Sequence, residues 1–301
     1  MSLEIITLNN SNFNIYSSTI LTLAVPISIM KRSCSTKSSS PSSLTGAEFA
    51  QWLVGFIDAE GSFYIRIGVK QIQFRVSIHL HKDDLPCLTL IQERLNIGNI
   101  YKYPTSVSWE LTSKKDLLKL FDIFKIQPLN TTKVFNFLSF QKAFFYILVE
   151  KRIRPLFKSL TSEQKALLWD QIRQIKAKMN TKREKSLNKL SNIKITPYWV
   201  LGFIEGDGSF HIVKKRLSLS FSIAQTFTEI LEAIREFLIN LPNGHLHSNS
   251  ICIYDVPKSK VENKNLNDVV QLSIFKKATV SDLLIPLLDN LNFLTKKKTR
   301  L

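Results

Sequence analysis

Apolar and polar residues alternate strictly in two well-separated segments of the chain. Every second residue of 71–80 ("QIQFRVSIHL") is apolar, and Gln, Arg, Ser and His stand between them. The segment 216–223 ("RLSLSFSI") repeats the alternation with Arg and Ser as its polar members. A period of two is typical of a strand with one buried face, so both segments are predicted to be strands. Shorter strands are predicted at 99–104, 106–112, 247–255 and 269–275.

Two apolar segments of the chain are similar to each other. "WLVGFIDAEGSFYI" (52–65) and "WVLGFIEGDGSFHI" (199–212) are identical at eight of fourteen positions. Both copies keep two acidic positions, with the acids exchanged: Asp58 and Glu60 in the first, Glu205 and Asp207 in the second. The chain therefore contains two copies of one structural unit.

Each copy is predicted to begin with a helix. In the first copy Thr45 and Glu48 form a capping box, and in the second Thr196 is an N-cap residue before a proline. Both helices are predicted to end at a glycine, Gly61 or Gly208, because glycine is common just after the last turn. Further helical patterns cover 85–95 and 228–241.

These elements predict an α+β fold with two halves of the same order. Each half should run helix, two strands, helix, two strands, helix, so the chain should form two pseudo-symmetric αββαββα-type halves with antiparallel sheets. The predicted divisions are a leader and flexible linker at 1–44, a first domain at 45–158, a helical and basic linker at 159–195, and a second domain at 196–301.

Composition narrows the class of partner. The chain has 301 residues, 44% of them hydrophobic, and a formal net charge of +17, which indicates a polyanionic partner, nucleic acid first and an anionic membrane second. The apolar segment 18–30 contains a proline and is shorter than the roughly 20 residues of a membrane span, so no membrane partner is expected. Cys34, Cys87 and Cys252 are too far apart for a disulfide framework or a CxxC metal site.

Glycines inside the two motif helices predict how the halves meet. Gly55 and Gly202 lack the side chain that would keep two helix backbones apart, so the helices are expected to pack against each other there. Glu60 and Asp207 would then meet at the shared helix ends, where two carboxylates repel each other unless a cation lies between them. Oxygen ligands of this kind suit Mg²⁺, and a divalent ion beside a basic sheet is equipment for phosphodiester hydrolysis.

At these residues the sequence resembles a known family. "LVGFIDAEG" and "VLGFIEGDG" look like the two signature motifs of single-chain LAGLIDADG homing endonucleases, and the resemblance extends from about Thr45 to the last residue. It implies that Glu60 and Asp207 bind Mg²⁺ (or Mn²⁺) with help from the carbonyls of Ala59 and Gly206. It also implies a monomer whose sheets form a saddle over a double-stranded DNA target of about 20 base pairs, or two helical turns. Members are commonly encoded by mobile introns of organelles, so a mitochondrial location is expected.

The resemblance also implies two basic residues that support the attacking water. "PLNTTK" places Lys133 in this role in the first half, and "NFLTKK" points to Lys297 in the second. Lys296 and Lys298 are near alternatives to Lys297. The roles of all four rest on the resemblance.

The two halves are not equivalent. Gln225 stands at the end of the second strand in "FSIAQT", where many family members use a glutamine, and its parity would otherwise predict an apolar residue. The first half has Leu80 at that place, with His81 beside it. The second half also stops four residues after Lys297, so its closing helices are expected to be missing.

The polar faces of the predicted strands are expected to contact DNA. Tyr64 and Arg66 oppose the apolar residues of their own strand, and the hypothesis is that such side chains read base edges. The expected DNA-binding residues of the first half are Tyr64, Arg66, Gln71, Gln73, Arg75, Ser77 and His79. Those of the second half are His211, Lys215, Arg216, Ser218, Ser220 and Ser222.

Several residues of these patterns have other interpretations. Asp58 and Glu205 are expected to be structural acids, and the HxH pairs 79/81 and 245/247 are read as same-face strand residues without a zinc site. The basic segment 176–194 is compatible with a solvated linker and with one that touches DNA. The alternative function is an intron RNA maturase with the same fold, which both motif acids disfavour and the short second half favours.

Overall fold

The structure of the protein is a computed structural model. It describes residues 44–68, 71–153, 161–181, 193–213, 218–257, 269–291 and 293–297, without the side chains of 149–153, 165 and 213. Residues Leu44–Leu301 belong to one structural unit. Parts of the sequence prediction lie outside the described residues: the leader up to residue 43, residues 182–192 of the linker, Lys215, Arg216 and Lys298.

The first half is built on a motif helix, two hairpin-linked strand pairs and further helices. The motif helix α1 (Gly46–Glu60) leads into β1 (Gly61–Ile67) and β2 (Ile72–His81). A 3₁₀ turn at Lys82–Asp84 is followed by α2 (Leu85–Leu95), β3 (Asn99–Lys102), β4 (Ser106–Leu111) and α3 (Lys114–Ile126). The last described helices before the second half are α4 (Lys133–Ile153) and α5 (Ser162–Ala177).

The second half repeats this order from its motif helix to the helical segment after its fourth strand. Its motif helix is α6 (Pro197–Asp207), followed by β5 (Gly208–Val213), β6 (Ser218–Gln225), α7 (Thr228–Ile239) and a 3₁₀ helix (Gly244–Ser250). Then come β7 (Ile251–Asp255), β8 (Val270–Ile274), α8 (Lys277–Thr279), a π-helical turn (Val280–Leu284) and α9 (Ile285–Leu291). Among the described helices, none has both the length and the apolar content of a membrane span.

Each half contains one four-stranded antiparallel sheet. The strand orders are β1-β2-β4-β3 and β5-β6-β8-β7, so the two sheets have the same topology. This confirms the predicted α+β class and the two pseudo-symmetric halves. The first strand of each sheet follows its motif helix directly, and the sheet therefore starts at the helix end that carries the second motif acid.

The strand register confirms the predicted alternation. Tyr64 pairs with Arg75 and Ser77 pairs with Glu110, which places these residues on one polar face of the first sheet. The opposite face carries residues such as Val76, which is buried. In the second sheet the polar partners are His211 with Ser220 and Ser222 with Ser273.

The predicted starts and ends of both motif helices are confirmed. Thr45 forms its capping box, and Thr196 accepts a hydrogen bond from the backbone of Trp199. Gly61 and Gly208 follow the motif helices in extended conformations with φ of −69° and not in the left-handed region. Glycine is needed there because a Cβ atom at either position would lie 2.6 Å from the carbonyl oxygen four residues earlier.

One predicted strand begins later than expected. The segment 247–255 was predicted as a strand, but residues up to Ser250 form the 3₁₀ helix and only Ile251–Asp255 pair with β8. His245 and His247 therefore lie in a 3₁₀ helix and not on a strand face. The ring of His247 instead contacts the hydroxyl group of Thr279 through Nδ1, at 3.1 Å.

An aromatic cluster fixes α4 against the first sheet. The ring of Phe63, on β1, packs at centroid distances of 5.6 and 5.7 Å against Phe137 and Phe140 of α4. Phe121 and Phe124 of α3 add edge-on contacts to Phe137. Such edge-on pairs are favourable beyond their buried area, so the start of α4 is held firmly beside the motif helix.

Candidate functional site

The two motif helices pack through reciprocal glycines. A Cβ atom at Gly55 would lie 2.1 Å from the carbonyl oxygen of Trp199, and one at Gly202 would lie 2.1 Å from that of Trp52. Both positions are buried, and the obstructing atoms are backbone, so only glycine permits this approach. The predicted helix interface is therefore present in the structure, with each glycine facing the other helix.

The close approach continues to the helix ends. A Cβ atom at Gly206 would lie 2.2 Å from the methyl group of Ala59 and 3.2 Å from the side chain of Glu60. The last residues of the helices, Glu60 and Asp207, are both half-buried. Burial raises the pKa of both carboxyl groups, and the charge of Asp207 raises the pKa of Glu60 further. The structure thus brings together two acids that are almost half the chain apart.

A lysine lies against the end of each motif helix. Lys133, the first residue of α4, donates from Nζ to the carbonyl oxygen of Ala59 and, at 3.3 Å, to that of Ile57. Lys297 donates from Nζ to three carbonyl oxygens of the second helix end, those of Ile204 (3.1 Å), Gly206 (2.5 Å) and Gly208 (2.6 Å). Cations are favourable at helix C-termini because they satisfy the last carbonyls and the helix dipole.

The charges of these lysines reach both acids. Lys133 and Lys297 each lower the pKa of Glu60 and of Asp207, against the larger effect of burial. Burial lowers the pKa of Lys133, and the nearby carboxylates oppose this shift. Of the two candidate lysines that the structure describes, Lys297 lies at the helix end, whereas the ammonium group of Lys296 pairs with Asp83 at 3.7 Å.

The buried acid of the first motif holds the loop that carries Lys133. The Asp58 carboxylate accepts hydrogen bonds from the backbone N–H groups of Asn130 (2.8 Å) and Thr131 (3.1 Å) and from the Thr131 hydroxyl (2.6 Å). It also accepts from the indole of Trp199, in the other half, at 3.0 Å. These contacts use both oxygens of Asp58, which supports its predicted structural role.

Glu205 makes the corresponding contacts in the second half. Its two oxygens accept from the backbone N–H groups of Leu294 (2.8 Å) and Thr295 (3.0 Å), just before Lys297. Burial raises the pKa of Glu205 from 4.5 to about 7. The indole of Trp52 is close enough to lower that pKa, but its Nε1 has no hydrogen-bond partner within normal geometry. The Asp58 arrangement is therefore repeated less completely here.

The second acid of the second motif, Asp207, has a side-chain hydrogen-bond partner. Gln225 donates from Nε2 to Oδ2 of Asp207 at 2.6 Å. In the first half Leu80 stands at the equivalent place, and His81 accepts the backbone N–H of Asp83. This difference agrees with the expectation that the two sites are unequal.

A cavity of about 420 Å³ opens beside Glu60. Its lining comes from both halves of the protein. From the first half it includes Glu60, His79, His81 and Asp84, and from the second half Gly206, Lys296 and Lys297. The space next to the paired helix ends is thus large enough for solvent and a small polar group.

The predicted DNA-binding side chains share the polar faces of the two sheets. Tyr64 is 41% exposed, and the guanidinium group of Arg75 lies 5.2 Å from the centre of its ring. His79 is exposed and packs its ring against Tyr103 at 6.0 Å. The other described members of the predicted set, on the two sheets or just before β2, are Arg66, Gln71, Gln73, Ser77, His211, Ser218, Ser220 and Ser222.

Glu110 and Lys176 lie beside the predicted DNA-binding residues of the first half, and neither is in the predicted set. Glu110, on β4, forms an ion pair with Arg75 at 3.4 Å and accepts a hydrogen bond from the hydroxyl of Ser108. Lys176, near the end of α5, lies with its ammonium group 5.6 Å from the ring of Tyr64. The parity of β4 could have placed Glu110 on this face, but no sequence signal places α5 beside β1.

The donors at the helix ends fit a hard divalent cation. The described residues contain no group of three or more His, Cys, Asp or Glu side chains that could hold a metal ion. The available oxygen donors are the carboxylates of Glu60 and Asp207 and the carbonyls of Ala59 and Gly206. Mg²⁺ usually keeps several waters and needs only one or two protein carboxylates, so a set of this size suits it.

Comparison with known families agrees with this arrangement. The family described as LAGLIDADG endonuclease matches residues 53–144 and 200–301. The chain therefore belongs to the LAGLIDADG endonuclease family, and each matched region lies in one half of the structure. This confirms the resemblance seen in the two motifs.

Curated relatives come from fungal mitochondria and introns. The chain is 28% identical over 260 residues to the uncharacterized mitochondrial protein RF1 of Saccharomyces cerevisiae, with 83% of this chain and 52% of that protein covered. It is 32% identical over 220 residues to the probable intron-encoded endonuclease Cox1-I1b of Schizosaccharomyces pombe, with 67% and 52% covered. The chain thus spans about half the length of these relatives.

Solved structures share the fold. The crystal structure of the LAGLIDADG homing endonuclease I-GzeII in complex with its DNA target matches with a TM-score of 0.66 at 22% identity, covering 83% of this chain and 86% of that one. The meganuclease I-CpaMI bound to uncleaved DNA matches at 0.63 and 25%, covering 83% and 88%. I-SmaMI bound to uncleaved DNA in the presence of calcium ions matches at 0.61 and 21%, covering 82% and 86%.

Proposed function

We propose that the protein is a site-specific double-strand DNA endonuclease that promotes homing of its intron by divalent-metal-dependent phosphodiester hydrolysis. The observation that carries this proposal is the constellation at the ends of α1 and α6. Two carboxylates, Glu60 and Asp207, lie within electrostatic reach of two lysines, Lys133 and Lys297. Each lysine is anchored on the carbonyls of a different motif helix. Family membership and the intron-encoded relatives support the proposal.

Glu60 and Asp207 would hold Mg²⁺ or Mn²⁺, assisted by the carbonyls of Ala59 and Gly206. When bound, such an ion polarises the phosphate, activates water and stabilises the leaving oxygen. The carbonyls of Ala59 and Gly206 already accept from lysines, and each has a second lone pair for another partner. Two partly buried acids at helix C-termini are unfavourable alone, and a cation would relieve their repulsion.

The lysines and the glutamine would prepare the site for the attacking water. Lys133 donates to two carbonyl oxygens, so its third N–H can bind a water or a phosphate oxygen without the side chain first being ordered. Lys297 donates to three carbonyl oxygens, so it would act through its fixed positive charge. Gln225 fixes Oδ2 of Asp207 by its 2.6 Å hydrogen bond and leaves its amide oxygen to accept from water. The first half has Leu80 at this place, so we expect the two strands to be cut at different rates.

The two polar sheet faces would bind duplex DNA. The net charge of +17 supplies the sequence-independent attraction to phosphates, and the side chains of the faces would read base edges. Because one chain carries both halves, we propose that a monomer covers the target of about 20 base pairs. The proposed contacts in the first half are Tyr64, Arg66, Gln71, Gln73, Arg75, Ser77 and His79. Those in the second half are His211, Lys215, Arg216, Ser218, Ser220 and Ser222, with Lys215 and Arg216 argued from the sequence alone.

A mitochondrial location is part of the proposal. It is supported by the mitochondrial name of one relative and by the intron-encoded names of others. A fluorescent fusion expressed from a fungal nuclear gene would not test it, since such proteins are made inside the organelle. Mass spectrometry of purified mitochondria from the source cells would test it directly.

The test of the proposed activity uses a selected target. Duplexes bound by the protein in Ca²⁺ are recovered from a randomised library, and the recovered duplex is then incubated with Mg²⁺, Mn²⁺ or EDTA. We expect one discrete double-strand break with either metal and none in EDTA. Glu60→Gln and Asp207→Asn should abolish cleavage and keep most binding, since each leaves the sheet faces intact. Tight binding of intron RNA without any DNA break would favour the RNA maturase instead.

A further inference from the structure

Asp84 contacts the segment that carries Lys297, although the two residues belong to different halves. Asp84 ends the 3₁₀ turn after β2 in the first half. Its Oδ1 accepts the backbone N–H of Lys296 at 3.2 Å, and the neighbouring Asp83 pairs with the Lys296 ammonium group at 3.7 Å. Lys297 is the next residue and reaches the end of α6 with its side chain.

The position of Asp84 is unusual for the contact it makes. Asp84 is the N-cap residue of α2, where an aspartate normally accepts a hydrogen bond from the first turn of its own helix. Its side chain makes no such bond in the structure. The carboxylate instead holds a segment that is 212 residues further along the chain. Asp84 therefore stabilises the position of that segment and does not cap α2.

The loops that carry the two lysines are held from different places. In the first half, the amide group of Asn130 both donates to and accepts from the backbone of Lys194, at 2.9 Å for each bond. In the second half, Asp84 of the first half accepts the backbone N–H of Lys296. Glu205 of the motif helix accepts the backbone N–H groups of the preceding residues, Leu294 and Thr295. Each loop is thus bound by the motif helix of its own half and by a second segment, which is Lys194 for the Lys133 loop and Asp84 for the Lys297 loop.

We infer that Asp84 is a positioning residue for Lys297, so that a residue of the first half controls the cleavage that depends on the lysine of the second half. The expected effect on cleavage rests on the proposed nuclease function. The expected effect on the structure rests on the hydrogen bond from the backbone of Lys296 to Asp84. Asp84 also lies beside Glu60 and raises the pKa of that acid. The experiment must therefore separate the hydrogen bond from the charge.

Two substitutions at Asp84 make this separation. Asp84→Asn keeps an oxygen that can accept the N–H of Lys296 but removes the charge, whereas Asp84→Ala removes both. With a strand-labelled selected duplex, Lys297→Ala first identifies the strand whose cleavage depends on Lys297. Asp84→Ala should slow that strand about fivefold and leave the other unchanged. Asp84→Asn should cut both strands at close to the wild-type rates.

The matched controls come from the same chain. Asn130→Ala should slow the opposite strand, because it loosens the loop that carries Lys133. Asp122→Ala removes an exposed acid that pairs with Lys125 and should leave both strands unchanged. Equal slowing by Asp84→Ala and Asp84→Asn, or slowing of both strands by Asp84→Ala, would overturn the inference, since either result indicates an effect through Glu60 or the fold.

A second measurement does not need cleavage. Hydrogen–deuterium exchange followed by mass spectrometry should show faster exchange over 293–297 in Asp84→Ala than in the wild type or in Asp84→Asn. Unchanged exchange in Asp84→Ala would refute the positioning role. If the wild-type protein cuts no selected duplex, the proposed nuclease function fails, and the exchange comparison still decides whether Asp84 holds the Lys297 segment.

Discussion

Replacing Gly55 by alanine should separate the two motif helices. The added Cβ atom would lie 2.1 Å from the carbonyl oxygen of Trp199, while ordinary contacts begin near 3.4 Å, so the helices must move apart by about 1.3 Å. The obstructing atom is backbone in a buried helix and cannot turn aside. Overpacking of this kind costs about 3 kcal/mol in free energy of unfolding, which lowers the melting temperature by about 6 to 12 °C in a unit of this size.

The same displacement should reach the proposed active site. Glu60 and Asp207 lie at the ends of these helices, and a misplacement of about 1 Å in a catalytic group can cost about a hundredfold in rate. We therefore expect Gly55→Ala to lose most cleavage at temperatures where it is still folded. Double-strand cleavage of the selected duplex at 20 °C, with folding checked by circular dichroism, measures this loss.

Gly46→Ala is the matched control. Gly46 is the first residue of α1, and a Cβ atom there would meet nothing within 4 Å. Alanine should stabilise that helix by about 0.5 to 1 kcal/mol because it restricts the unfolded chain and favours the helix. If Gly55→Ala melted at the same temperature as Gly46→Ala and cut DNA at the wild-type rate, the close approach of the two helices would be refuted.

Three further predictions follow from single contacts. Burial raises the pKa of Glu205 from 4.5 to about 7, so the folded protein binds a proton that the unfolded chain releases, and the free energy of unfolding should fall by about 3 kcal/mol from pH 4.5 to 7. Urea titrations of Glu205→Gln should lack this part of the slope; an unchanged slope would assign it elsewhere. Glu110→Gln should free Arg75 and raise DNA affinity about fivefold at low salt while weakening discrimination among base pairs, as fluorescence anisotropy with mismatched duplexes would show, and weaker binding would contradict the ion-pair role. Gln225→Leu should slow cleavage of one strand by about tenfold more than that of the other on a strand-labelled duplex, and equal slowing of both strands would argue against it.

Periodicity and duplication determined most of the fold in advance. The alternation in 71–80 required one face of β2 to be buried, and the repeat required the second half to copy the first. Gly55 and Gly202 predicted the helix contact, because a glycine inside an apolar helix is best explained by the close approach of another backbone. The ends of an element were harder to predict. The strand predicted at 247–255 begins only at Ile251, because short polar residues occur in 3₁₀ turns as well as in strands.

Contacts between distant segments could not be read from the sequence. Glu110 stands on a strand that was predicted, but its pairing with Arg75 depends on the order of strands in the sheet. Asp84 has the sequence context of a helix cap, and only the path of residues 293–297 reveals its different partner. The choice of Lys297 over Lys296 likewise depends on the direction of each side chain, which two identical neighbouring residues do not encode.

The reciprocal packing of α1 and α6 has a consequence for biosynthesis. Residues 46–60 leave the ribosome well before residues 197–207, and until then the face of α1 around Trp52 and Gly55 has no partner. A nascent chain at that stage exposes an apolar surface that can bind chaperones or aggregate with other nascent chains. Translation speed through the intervening segment would therefore set how long this surface stays uncovered.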